Sequence, residues 1–190
     1  MSVMEIVAWT ASIIVLMYLV LIYNNLVQLK YGVAKAWANI DVLLKQRHDE
    51  LPQLVAVCKQ YMRYERDTLE RVVKARAEVS SARALTNLKE LGQAEQQMRE
   101  ALDHLFALTE NYPDLKADAL FKHLQARITG LDNAIADRRE LYNDSVNLFR
   151  IRVDQFPDIF IARLFRFKPC ELLRFSAREI RNVDMKTLFN

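Results

Sequence analysis

Glycine and proline are scarce, with three and four copies in 190 residues. So few breakers allow few tight turns, and long helices are expected. Cysteine is scarcer still: Cys58 and Cys170 lie far apart, which excludes a disulfide framework and suits a reducing compartment. No glycine-rich phosphate loop, HExxH or GxSxG occurs. No Glu has a His three residues on, so the Glu-x-x-His pairs of a di-iron bundle are missing as well. His48, His104 and His123 stand singly on three stretches, and neither a metal site nor a cofactor is expected. Neither charge dominates: 27 Lys and Arg face 24 Asp and Glu, and the net +3 gives no ground for nucleic acid. The expectation is a non-enzymatic protein.

What the sequence does have is one long apolar run. Ile6 to Tyr23 carries no charge, with Glu5 before it and Asn24-Asn25 after it. At ~1.5 Å per residue it spans roughly 27 Å, close to one bilayer core. Trp9 near one end and Tyr18 and Tyr23 near the other suit the interfaces. The N-terminus lacks the basic residues of a signal peptide, and no small-x-small cleavage pattern follows, so the run reads as a retained single-pass anchor. Lys30 and Lys35 follow the run and no basic residue precedes it, which favours a cytoplasmic body on a bacterial inner membrane.

Apolar residues then recur every three or four positions. Val33, Trp37, Ile40, Leu44, Leu51, Leu54, Cys58, Tyr61, Leu69 and Val72 form a seam with Arg47 and Glu65 as polar interruptions. Pro52 is expected to kink or restart this helix near Glu50. A turn is expected between Ala82 and Gly92, with Asn87 and Glu90 marking a capped start. The second helix runs over Leu88–Leu108 and ends at Asn111-Tyr112-Pro113; the third opens at Asp114, passes Gly130 and Asn133, and stops at Phe156-Pro157. No strand alternation or solenoid repeat is apparent. The fold class is therefore all-α: an N-terminal transmembrane helix continuing into a long-helix antiparallel, four-helix-type, up-and-down bundle. The divisions are 1–23 anchor, 24–157 bundle and 158–190 amphipathic, basic tail. Either Pro52 folds the first helix back, or the later helices run down beside it and return Phe156 towards the bilayer; the sequence leaves both open.

Several stretches resemble the LemA family of membrane-anchored helical proteins. They are YNNLVQL (Tyr23–Leu29), AWANIDVLLKQRHDELPQLV (Ala36–Val55), Tyr61 with Glu65, ENYPDLKAD (Glu110–Asp118), DNAIADRRELYNDSV (Asp132–Val146) and FPDIFIARLFRF (Phe156–Phe167). Their order and spacing carry the resemblance, which covers the chain from about Tyr23 to Phe167. It implies an N-terminal anchor and a four-helix bundle, and no established activity. Two positions depart from the pattern: Asp132 stands where the family usually has Glu, and Arg166 where a Gly commonly precedes the aromatic.

Two candidate sites follow. Arg47, Glu65, Arg139, Tyr142 and Asn143 match motif positions and form a polar seam, read either as ion pairs that fix register or as a ligand pocket. Arg47 and Glu65, on one helix, would each need a partner from elsewhere, such as Glu95 or Arg139. The tail interleaves Phe160, Phe165, Phe167 and Phe175 with Arg163, Arg166, Lys168 and Arg174, a composition suited to an anionic membrane surface or to closing the end of the bundle. Cys58 reads as a small buried apolar residue, and Cys170 as a free thiol or an acylation site. The expected function is a membrane-anchored scaffold that self-associates and organises protein or membrane, with membrane lipid and further copies of the chain as partners. Repeated wedges in one leaflet would favour membrane remodelling. The alternative is an adaptor or sensor presenting a partner, such as a membrane protease or signalling protein, through the polar seam.

Overall fold

A computed structural model describes residues 2–85 and 87–174. Among these no strand occurs. Six helices follow in order: α1 (Val3–Tyr61), α2 (Arg66–Ala84), α3 (Leu88–Thr109), α4 (Pro113–Ala117), α5 (Ala119–Asp154) and α6 (Asp158–Leu164). They form two compact units, one drawing on Met1–Ala38 and Glu140–Glu171, the other on Asn39–Arg139.

The unit over Asn39–Arg139 is an up-and-down four-helix bundle, in agreement with the fold class read from the sequence. Its helix directions follow from its ion pairs. Arg83 of α2 meets Asp41 of α1, and Arg76 meets His48, so α1 and α2 are antiparallel. Arg47 and Glu50 of α1 meet Asp132 and Arg127 of α5, again with falling numbers. The core draws on all four long helices: Ile40, Leu44, Leu54 and Cys58; Leu69 and Val72; Leu91, Met98 and Leu105; Phe121, Ile128 and Ile135. The α2–α3 turn falls inside the expected window, and the Asn87 side chain accepts the Glu90 N–H at 3.2 Å.

Three expectations about breaks are corrected. Pro52 does not break α1, which runs through it to Tyr61. Proline removes the N–H that would have bonded the carbonyl four residues back, that of His48. Arg76 of α2 supplies the missing donor, its Nε lying 2.9 Å from the His48 oxygen. The chain reverses instead over Met62–Glu65, where no glycine or proline stands. Two phenols hold this reversal: Tyr61 donates to Asp118 at 3.0 Å and Tyr112 to Glu65 at 3.2 Å. Glu65 therefore lies at the start of α2 and not on the first helix with Arg47. Finally, the third predicted helix is split at Asp118, whose side chain accepts the Phe121 N–H at 2.9 Å and caps α5. Beyond it α5 passes Gly130 and Asn133 without interruption.

The unit over Met1–Ala38 and Glu140–Glu171 pairs the first part of α1 with the last part of α5 and α6. An 18-residue stretch of α1 reaches a mean hydropathy of 2.4, long and apolar enough to cross a membrane. Its side chains are exposed as far as Leu21. The hydroxyls of Thr10 and Ser12 bond back to the carbonyls of Ile6 and Ala8, so they too are satisfied within the helix. Burial starts abruptly at Ile22 and continues with Leu26 and Val33, and the same unit buries Tyr142, Val146, Phe149 and Val153 of α5 and Ile161 and Ala162 of α6.

Candidate functional site

Arg47 is the centre of a buried charge group. It is 3 % exposed and bonds Glu95 of α3, itself 3 % exposed, and Asp132 of α5 at 2.6 Å. One guanidinium thus ties three helices together at fixed register, serving two carboxylates with its planar fork. Burial pushes the Glu95 carboxyl above its ordinary range; Arg47 opposes that push and Asp132 adds to it. The guanidinium is thus paired with two acids from two other helices. The other proposed seam residues each have a contact or partner. Glu65 meets Tyr112 at the α1–α2 reversal. Tyr142 stacks edge-on against Trp37 at 5.8 Å and donates to the Glu171 carbonyl at 2.9 Å. Arg139 and Asn143 are half-buried and each has a partner. Sequence reasoning missed Asp132 as the second acid on Arg47. The Asp-for-Glu departure marked the position without saying what it met.

Two of the tail rings lie against Tyr23, at the end of the apolar run. The Phe165 ring lies 4.7 Å from the Tyr23 ring, and Phe167 lies 6.0 Å from Tyr23 and 6.4 Å from Phe149. The segment after α6 is tied back along α5: Arg150 donates twice to the Cys170 carbonyl, at 2.9 and 2.6 Å. Asp158 is buried and paired with Arg152 at 2.5 Å.

The end of α6 explains the second departure. The Phe167 N–H bonds the Ala162 carbonyl and the Arg166 N–H bonds that of Arg163, a Schellman stop with Arg166 in the left-handed position at φ 55. That position prefers glycine, and a side-chain-bearing residue there costs roughly 1–2 kcal/mol. Arg163, Arg166, Lys168 and Arg174 are all exposed. Phe175 lies outside the described residues.

Among the described residues no group of three or more His, Cys, Asp or Glu is placed to hold a metal ion. His104 and His123 are exposed and His48 is half-buried. The expected reading of Cys58 as a buried apolar residue matches its place in the core.

Fold and site together define a class: a helical protein whose first helix is of membrane-spanning length and apolarity and continues into packed antiparallel helices. The LemA family profile matches residues 36–187, and the chain belongs to the LemA family. It is also similar to the magnetosome proteins MamQ 1 and MamQ 2 of Paramagnetospirillum magneticum, 31 % identical over 71 residues. The magnetosome protein MamQ of Magnetospirillum gryphiswaldense is 28 % identical over 71 residues. These matches cover 37 % of this chain and 26 % of each relative, so the chain spans about a quarter of the curated relatives' length.

Proposed function

We propose that this protein is a non-enzymatic, single-pass membrane-anchored scaffold that self-associates on the inner membrane of a bacterium, with its body on the cytoplasmic side. The observation that carries the reading is the exposed apolar run, which stays uncovered up to Leu21 and then becomes part of a packed body without leaving the helix. Such a run requires lipid around it, and an anchor confines copies to one plane. A second apolar surface is available there. Leu141 and Leu148, two turns apart on α5 and both exposed, form with Ile151 a stripe that a second copy would cover. Lys30 and Lys35 beside the run support the cytoplasmic side.

Sizing of the detergent-solubilised protein at micromolar concentration is expected to give an oligomer, and Leu148→Asp to shift it towards monomer. A monodisperse wild-type monomer refutes self-association. Protease added to spheroplasts is expected to leave the body intact; cleavage of the body places it on the other side.

A second reading is an adaptor that takes its partner at a basic cleft beside the α1–α2 reversal rather than through the polar seam. Lys59, Arg63, Arg66, Arg71 and Lys74 line it against Asp67 and Glu70. That balance suits an acidic partner segment. Charge reversal at Arg63 and Arg71 separates the readings: loss of partner capture with the oligomer intact favours the adaptor.

A further inference from the structure

We propose that α6 and the turn after it form a preorganised foot that lies in the interface of an anionic bilayer, in the leaflet on the body's side of the anchor. The inference rests on the reading that the apolar run crosses a membrane.

Position comes first. The run becomes buried at Ile22, and the next residue, Tyr23, touches the Phe165 ring at 4.7 Å. A chain whose run fills the hydrocarbon core has Tyr23 at the interface, and Phe165 comes to the same depth. Surface chemistry comes second. Among the described residues Phe156, Phe160 and Leu164 are 76, 62 and 73 % exposed, and the first two rings stack edge-on at 5.9 Å. Exposed aromatic clusters of this kind mark a surface with a partner. Arg163, Arg166 and Lys168 lie among them, all exposed. Rings for the acyl boundary interleaved with cations for anionic headgroups is the pattern of an interfacial segment.

Rigidity separates this foot from a loose basic tail. Asp158, Ile161 and Ala162 are buried, and the following segment is fastened to α5 through Arg150 and Tyr142. The rings and cations are therefore held in place before lipid arrives, which lowers the ordering cost of docking.

The test uses the full chain in vesicles of phosphatidylglycerol and phosphatidylcholine, with Cys170→Ser, since Cys58 is buried. Single spin labels are placed through Ile13→Cys, Phe160→Cys and Asp144→Cys, the last about 15 Å up α5 from its end. Lipid-soluble oxygen is expected to relax the labels at 13 and 160. A water-soluble nickel chelate is expected to relax the label at 144. The oxygen-to-nickel ratio at 160 is expected to fall when Arg163, Arg166 and Lys168 are all changed to Gln, or when the vesicles carry no anionic lipid. A label at 160 that behaves like the one at 144, with 13 still in lipid, overturns the foot and leaves the anchor standing. A label at 13 that is open to nickel overturns both. A label at 160 shielded from both agents and broadened by a second spin means that another copy covers the surface, and the lipid proposal fails.

Discussion

Arg76 should matter to stability only because Pro52 is there. In the folded chain the Arg76 Nε lies 2.9 Å from the His48 carbonyl, the acceptor that Pro52 leaves without its helical donor. A hydrogen bond from a charged donor contributes about 1.5–3 kcal/mol, so Arg76→Ala should cost that much. In a Pro52→Ala background the backbone N–H at 52 returns to His48, and Arg76→Ala should then cost less than about 1 kcal/mol. The cycle predicts a coupling of about 1 kcal/mol or more, seen as a difference of ~2–4 °C between the two Tm shifts for a protein of this size. Thermal unfolding followed by far-UV circular dichroism in detergent micelles measures it. A second readout is His48 itself. Its imidazole is held below the ordinary range first by burial and then by the charge of Arg76, so its pKa should move up in Arg76→Ala. Equal costs in both backgrounds, within about 0.5 kcal/mol, refute the reasoning.

Removing the cation of the buried group, Arg47→Met, is expected to cost about 3–5 kcal/mol in denaturant titration, because two acids then face each other without it. The raised Glu95 carboxyl favours folding at low pH and loses that contribution as pH rises through its folded value, so Tm should climb as pH falls from neutrality towards the ordinary 4.5. Glu95→Gln should flatten that climb, which reverses only when Asp41 and Asp118, held below 3.8 by Arg83 and by the Phe121 N–H, begin to protonate. Burial pushes the Cys58 thiol up to about 12, so a thiol reagent near neutral pH should modify Cys170 alone in the folded chain and both cysteines after unfolding.

The sequence by itself determined what local chemistry decides. An uncharged run at Ile6–Tyr23 has the length and apolarity of a membrane span whatever follows it. The three-and-four spacing of Ile40, Leu44, Leu51 and Leu54 makes one face of a helix apolar, and these residues are buried as that pattern requires. Asn87 before Glu90 caps a helix with its own side chain, and Phe156-Pro157 ends one by removing a donor. Tertiary structure decided the places where a side chain arrives from elsewhere in the chain. The helix runs on through Pro52, and Arg76, 24 positions on, donates to the carbonyl that the proline leaves without its helical partner. Met62–Glu65 reverses the chain without a breaker because Tyr112 and Asp118 hold its two ends. Arg47 is recognisable as a polar interruption in an apolar seam, yet which acids it meets depends on how α3 and α5 lie against α1. The tail's composition suits either bundle packing or a membrane, and it is the contacts of Phe165 and Phe167 with Tyr23 that bring two of its rings to the end of the apolar run.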